Sequence, residues 1–175
     1  MTNILIPTDF TENSLQLAEQ AIATLDIKNV NIVLFHAFSL PSSEFDLLNP
    51  SRKKPYTDLV TEKLRQSWKT FKDQHPQEVQ KVFFKFMEGD TVALFRNFLD
   101  ANEIDIIFCP DGFHHTAVHK LSVDPLPLFK KGGVKVIREV VRRRKAVQEP
   151  AIAAVTVLNA GKTAEPVLAA ASASH

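Results

Sequence analysis

The sequence feature that most constrains the fold is residues 3–10, which read NILIPTDF. Three aliphatic residues are ended by Pro7 and followed at once by the polar pair Thr8 and Asp9. Short apolar runs bounded in this way are typical of buried strands in a parallel sheet. Because ligands of open α/β sheets bind at the carboxyl ends of the strands, the pattern also predicts where a site lies.

The residues that follow alternate between helical and strand patterns. Leu15, Ala18, Ile22 and Leu25 recur at helical spacing, which predicts an amphipathic helix with Thr11 at its N-cap. The same patterns predict strands at residues 30–38, 82–86, 104–109 and 134–141, and helices at residues 56–75, 92–99 (capped by Asp90) and 115–121. Strand–helix–strand order without hairpin signals implies right-handed crossovers, so we expect an open five-stranded parallel sheet with helices on both faces.

The sequence predicts one domain followed by a tail. Residues 1–145 contain all of the predicted sheet and are long enough to bury a core. Residues 146–175 differ in composition, because alanine dominates them and serine, threonine, proline and glycine are interspersed. We expect most of this tail to lie outside the core, although parts of it can be ordered.

The composition is that of a soluble globular protein, with 45% hydrophobic and 23% charged residues and a net charge of +1. The near-neutral charge gives no reason to expect nucleic acid or a membrane surface as a partner. No uncharged apolar stretch approaches the roughly 20 residues of a membrane-spanning helix. The single cysteine suits a reducing compartment, and no signal-peptide pattern precedes the first strand, so we predict a cytoplasmic protein.

Four stretches of the chain resemble the universal stress protein family. They read ILIPTDFTENSLQLAEQAI at the first strand, VNIVLFHAF at the second, EGD before a helix and EIDIIFC at the fourth strand. The resemblance covers residues 3–142, and the first stretch is its most specific part. It implies a five-stranded parallel sheet, a role in the stress response or signalling, and a homodimer through the last strand, here residues 134–141. Pairing of exposed apolar edge strands favours such a dimer on physical grounds as well.

The resemblance also implies binding residues, because some members of the family bind ATP. The candidates are Pro7, Thr8 and Asp9 at the adenosine end, Ala37 beside His36 at the base, and Cys109 and Pro110 in the loop after the fourth strand. In the family this loop is rich in glycine, so that backbone N–H groups can approach the phosphates closely.

In this chain the loop departs from the family's Gly-x2-Gly-x9-Gly-Ser/Thr pattern. Pro110 and Phe113 stand in place of the first two glycines, and Val123 and Asp124 in place of the last pair. Proline removes an N–H donor, and an aspartate repels phosphate at close range. We therefore expect a lost phosphate loop, no bound cofactor, and a function by binding rather than catalysis. The alternative is an ATP- or AMP-binding protein that uses the acid of the first strand and residues 109–115.

A second alternative is a metal-dependent enzyme built on the histidines of residues 114–119. His115 and His119 would share one face of the predicted short helix, and Asp111 would supply an oxygen ligand. The simpler interpretation is a polar loop with surface histidines, since the chain has no HExxH or paired-cysteine motif. We predict no metal site, with His115 and His119 as weak candidates only.

Several candidate residues also have purely structural interpretations. Cys109 is a reactive thiol only if its pKa is depressed, and otherwise it is a small buried residue. Asp9 can serve the turn into the first helix, and His36 can be packed and hydrogen-bonded at the end of the second strand. The chain has no Gly-x-Ser-x-Gly motif for a nucleophile, and we interpret the basic residues 138–145 as a solvated strand end or the rim of a subunit contact.

Overall fold

A computed structural model describes residues 1–41, 43, 48 and 56–140 of the chain. The predicted tail lies outside the described residues, as do residues 141–145 of the basic stretch and most of the loop after the second strand. Within the described part, no helix is both long enough and apolar enough to span a membrane.

The described chain alternates strands and helices. The strands are β1 (Thr2–Pro7), β2 (Val30–Phe38), β3 (Val79–Glu88), β4 (Ile106–Phe108), β5 (Ser122–Val123) and β6 (Lys135–Ile137). The helices are α1 (Asn13–Leu25), α2 (Glu62–Gln74), α3 (Val92–Ala101) and α4 (Leu126–Lys131).

Five of the strands form the predicted parallel sheet, in the order β3-β2-β1-β4-β6. The chain leaves β1 toward β3 on one side and later returns to build β4 and β6 on the other. The strand order therefore reverses between β1 and β4, and the carboxyl ends of these two strands flank the position where open α/β sheets bind ligands. Since β6 is an edge strand among the described residues, the homodimer through residues 134–141 stays a prediction.

Several local predictions were wrong. Residues 115–121 contain no helix and run instead as an irregular segment into β5, a strand that the sequence did not predict. Thr91 rather than Asp90 caps α3, because its hydroxyl accepts a hydrogen bond from an N–H of the first turn at 3.3 Å. The helix expected at residues 56–75 begins only at Glu62, where the extended backbone and side chain of the preceding threonine form the N-cap.

Helices cover both faces of the sheet, as predicted, because successive strand side chains point in opposite directions. Ile4 of β1 is buried on the face that packs with α1 and α2, through residues such as Trp68. Leu5, its neighbour in sequence, is buried on the face that packs with α3 and α4, through Phe95 and Phe129. The two cores hold the strands rigidly, and the polar residues that follow β1 and β4 therefore sit on a fixed rim.

Candidate functional site

The turn that leaves β1 contains a connected set of buried polar groups. Thr8 and Ser14 are almost fully buried, and their hydroxyl oxygens lie 2.8 Å apart. The Thr8 hydroxyl oxygen also accepts a hydrogen bond from the Phe10 N–H at 3.0 Å, and the Ser14 hydroxyl donates to Asp9 Oδ1 at 3.3 Å. The first turn of α1 thus binds the end of β1 through side chains close in sequence.

The Asp9 carboxylate also accepts hydrogen bonds from this turn. Its Oδ1 accepts hydrogen bonds from the backbone N–H and the hydroxyl of Thr11, at 3.0 and 2.6 Å, and its Oδ2 lies 3.5 Å from Asn13 Nδ2. Burial raises the pKa of Asp9, but the hydrogen bonds from Thr11, Asn13 and Ser14 together outweigh it and leave the pKa below its ordinary value. The predicted N-cap at Thr11 was wrong, since Glu12 occupies that position without a side-chain capping bond.

The loop after β4 uses its backbone donors internally. The Asp111 N–H donates to the Arg138 carbonyl at 3.2 Å, and the Phe113 N–H donates to the Pro110 carbonyl at 2.9 Å. Pro110 itself has no N–H. An exposed ion pair of 3.3 Å also joins the Asp111 and Arg138 side chains. The backbone N–H donors that a phosphate would require are therefore absent at Pro110 and already bonded at Asp111 and Phe113.

β5 continues the sheet beyond the end of β1. β1 pairs with β2 only as far as Phe35, and β5 then pairs antiparallel with Ala37 and Phe38. Because β3 pairs with the other edge of β2 through to its end, β5 lies on the β1 side. A hydrogen bond of 2.7 Å from the Ser39 N–H to the Leu121 carbonyl extends this contact. The candidate residue Ala37 is therefore covered by the chain's own backbone.

His36 connects the end of β1 to β5. Its Nδ1 lies 2.6 Å from the Thr8 carbonyl oxygen and its Nε2 lies 3.0 Å from the Ser122 hydroxyl. Since a carbonyl only accepts, Nδ1 carries the proton and the neutral Nε2 accepts from Ser122. Burial lowers the pKa of His36 below its ordinary value; the Thr8 hydrogen bond partly counteracts this, and the nearby His115 reinforces it. The ring is thus a neutral bridge between three segments.

Cys109 does not have the properties of a reactive thiol. Its side chain is almost fully buried at the end of β4. Burial raises the pKa of the thiol to about 11, and the positive charge of Arg138 counteracts this only in part. At neutral pH the thiolate that a nucleophile needs is therefore scarce.

The histidines of residues 114–119 are not arranged as a metal site. Across the described residues, no group of three or more histidine, cysteine, aspartate or glutamate side chains is placed to hold an ion. His119 Nδ1 accepts a hydrogen bond from the Leu121 N–H at 3.1 Å, which fixes the turn into β5. His115 lies with its ring centroid 5.8 Å from that of His36.

A cleft opens between α1 and the loop after β4, and we name it the α1 cleft. Its volume is about 310 Å³, at the small end of the range for pockets that bind organic ligands. It is lined by Pro7, Asp9, Asn13, Ser14, Gln16, Leu17, Gln20, Gly112, Phe113, His114 and Thr116. The structure thus brings Asp9 and the loop after β4 together on one rim, whereas Thr8, Ala37, Cys109 and Pro110 are buried and do not line the cleft.

Two residues of this region were missed from the sequence. Ser14 lies on the first turn of α1, and its position five residues after Asp9 was a signal that could have revealed it. Ser122 contacts His36 across a separation of 86 residues. Nothing in the local sequence around Ser122 indicates that contact.

The fold and the α1 cleft together define an open α/β protein with a ligand-sized cleft at the carboxyl ends of β1 and β4. No protein-family model and no curated protein matches the sequence. Comparison of the structures, however, finds similar solved proteins, and universal stress proteins are among them.

Three of these solved structures resemble the chain over the same extent, 79% of this chain and 96% of each of theirs. A hypothetical protein has a TM-score of 0.47 at 17% identity. A universal stress protein in complex with cAMP has a TM-score of 0.42 at 15% identity. A protein from the universal stress protein family from Burkholderia pseudomallei has a TM-score of 0.44 at 12% identity. The family that the sequence resembles is therefore also found among the structural matches.

Proposed function

We propose that this protein acts in the stress response or in signalling by binding rather than by catalysis, and that it does not hold the phosphates of a nucleotide. The observation that supports this most is the pairing of β5 with Ala37 and Phe38. The resemblance to the universal stress proteins assigns Ala37 to the base of the nucleotide. Here that backbone is hydrogen-bonded to Val123, so a base would have to displace part of the sheet.

The loop after β4 supports the same proposal at the phosphate end. Two of its N–H groups are bonded to carbonyls of the protein, and Pro110 has none to offer. Asp124, which stands where the family has serine or threonine, accepts a hydrogen bond from the Leu126 N–H at 3.0 Å through Oδ1. For a nucleotide held as the family holds it, a carboxylate at this position would repel the phosphates.

Binding rather than catalysis is supported by the state of the reactive side chains. Both ring nitrogens of His36 are hydrogen-bonded within the protein. The Cys109 thiol has a pKa raised to about 11. The Ser14 hydroxyl lies within hydrogen-bond distance of both Thr8 and Asp9, and no histidine of the described residues bonds to it. A general base or an activated nucleophile requires the opposite situation, with a free, correctly protonated atom facing a substrate.

The proposal is tested by the melting temperature of the protein with ATP, AMP and cAMP, each at millimolar concentration with Mg²⁺. cAMP is included because one similar structure contains it. A ligand at one hundred times its Kd stabilises the native state by about 2.7 kcal/mol, which for a chain of this size raises Tm by roughly 5–10 °C. We expect a shift of less than about 1 °C with all three nucleotides.

The alternative, a nucleotide binder that uses Asp9 and residues 109–115, predicts a clear rise in Tm. Two variants identify such a site, Asp9→Asn and the control Asp100→Asn, which removes the same charge at an exposed position of α3 outside the α1 cleft and outside residues 109–115. If the rise disappears in the first variant and persists in the second, the nucleotide occupies this site and our proposal is wrong.

A further inference from the structure

The α1 cleft has a charge composition that is unusual for a site beside a helix N-terminus. Its lining contains one carboxylate, Asp9, and no lysine or arginine among the described residues. Three exposed amides, Asn13, Gln16 and Gln20, follow one another at positions i, i+3 and i+7 and therefore share one face of α1. These groups can donate and accept hydrogen bonds without adding charge.

The two oxygens of Asp9 differ in how many hydrogen bonds they accept. Oδ1 accepts three contacts of 3.3 Å or less, from both donors of Thr11 and from the Ser14 hydroxyl. Oδ2 has a single contact, a 3.5 Å approach by Asn13 Nδ2. Since an ionised carboxylate oxygen can accept two good hydrogen bonds, Oδ2 retains acceptor capacity in a residue that lines the cleft.

The opposite wall of the cleft is aromatic. Phe113 and His114 belong to the loop after β4, and Phe113 is partly buried, which limits its movement. Aromatic faces attract ammonium groups when the cation lies within about 6 Å of the ring centroid. One wall thus offers a negative charge and amides, and the other offers aromatic surface.

We propose that the α1 cleft binds a small organic cation, an ammonium group on a carbon skeleton that carries hydroxyl groups. Asp9 Oδ2 accepts a hydrogen bond from the ammonium, Phe113 packs against the adjacent carbons, and the amides of α1 bind the hydroxyls. This assignment rests on the proposed function, because it requires that phosphates do not occupy the same rim.

The same charges disfavour an anion. A carboxylate or phosphate in the cleft would lie beside Asp9, and two like charges at such close range repel one another. Selectivity should therefore follow the charge of the ligand more closely than its shape.

Three sugars of matched size test this selectivity, namely glucosamine as the cation, glucose as the neutral compound and glucuronate as the anion. Each is titrated into ¹⁵N-labelled full-length protein, and the amide shifts of residues 9–20 and 112–116 are followed by NMR. We expect saturable shifts in these residues with millimolar Kd for glucosamine, weaker binding of glucose and none of glucuronate. Putrescine, an amine without hydroxyls, should bind more weakly than glucosamine.

Two variants locate the site. Asp9→Asn removes the charge and should weaken glucosamine binding at least about fivefold, the loss expected for one charge-assisted hydrogen bond. Gln16→Lys is a second variant at an exposed position, which leaves the turn after β1 intact and places a positive charge at the cleft. Gln66→Lys, on the exposed surface of α2 and outside the cleft, is the matched control and should bind as the unmodified protein does.

The outcomes separate this inference from the proposed function. Shifts of equal size with glucuronate, or no cleft shifts with any of the amines, overturn the inference and leave the proposed function in place. Glucosamine binding that is unaffected by both Asp9→Asn and Gln16→Lys also overturns it. Binding of ATP in the same titration overturns the proposed function, and it overturns this inference as well where the ATP-induced shifts fall on the cleft residues.

Discussion

The two walls of the α1 cleft are held in place in different ways. On the side of β1 and α1, the side chains of Thr8, Asp9 and Ser14 bond to groups at most six positions away, and only the Thr8 backbone bonds to β2, a distant strand. On the side of β4 and β5, the fixing contacts cross the chain: His36 to Ser122 spans 86 residues, and Asp111 to Arg138 spans 27. The side-chain network of the first wall is therefore local, whereas the second wall is held by side-chain contacts that form only when distant strands are assembled.

This difference indicates which wall of the cleft a substitution can disturb without affecting the other wall. A change in the local turn should leave the sheet beyond it intact. A change in the long-range bridge should release the segment from residue 115 to β5 as a unit, because several of its contacts run through one ring. Three experiments test the contrast.

The largest effect is expected for His36→Ala. The substitution leaves a cavity beside Phe38 and His115 and removes the bridge between Thr8 and Ser122, so we expect the free energy of unfolding to fall by about 2–4 kcal/mol. Urea denaturation measures the loss, and hydrogen exchange should accelerate in residues 119–123 more than in residues 9–14. His114→Ala, at an exposed histidine of the loop after β4, is the control and should change the free energy of unfolding little. Equal acceleration in both segments would contradict the contrast between the walls.

A smaller effect is expected for Ser14→Ala. The hydroxyl is buried and contacts both Thr8 and Asp9, so its loss should reduce the free energy of unfolding by about 1–2 kcal/mol. Exchange should increase at the start of α1 and not in β5. The half-buried Ser67 of α2 provides the control, since Ser67→Ala removes a hydroxyl whose hydrogen bond lies within its own helix. If Ser14→Ala lowers the free energy of unfolding no more than Ser67→Ala does, the hydrogen bonds of the local turn contribute little to stability.

The smallest effect on stability is expected from a change of pH, which leaves every side chain of the unmodified protein in place. The pKa of His36 is lowered from 6.5 in the folded protein, so below pH 6.5 the unfolded chain binds more protons than the folded one. The stabilising contribution of neutral His36 is complete above pH 6.5 and is lost as the pH falls from there through its folded pKa. Asp9 acts in a lower window, because its pKa is lowered from 3.8. Urea midpoints from pH 7.5 to 5 should fall more steeply for the unmodified protein than for His36→Gln, and parallel curves would contradict the assignment.

The same contrast explains how much of the structure the sequence could predict. The parallel sheet, the two-sided cover of helices and the position of Asp9 on the rim all follow from periodic patterns within short segments. The short strand β5 could not be predicted in this way, because residues 122–123 have no pattern of their own and form a strand only where β1 leaves the edge of β2 free. For residues 115–121, helical spacing of histidines suggested a helix. The chain instead forms a turn, in which His119 bonds to Leu121 and Ser122, and the long-range contact of Ser122 with His36 holds that turn in place.

The candidate binding residues also differ in whether local sequence patterns could predict them. Asp9 was predicted at the rim from its place after an aliphatic strand, and its neighbour Ser14 lies within reach of the same local reasoning. Whether Ala37 and Pro110 are accessible to a ligand depends on which distant groups bond to the backbone around them. Local sequence patterns do not contain that information. Boundaries of α1, α2 and α3 were misplaced because several polar residues in succession can each act as the cap.

The placement of β5 also constrains how this protein can vary in length. Successive residues of a strand face opposite sides of the sheet, so a change of length that made β5 slip by one residue along β2 would exchange the orientations of Ser122 and Val123. The hydroxyl would then point away from His36 and an isopropyl group would meet the imidazole. A change of length within the irregular residues 110–121 would therefore be tolerated only where the turn at His119 and Leu121 still brings β5 to β2 in the present register.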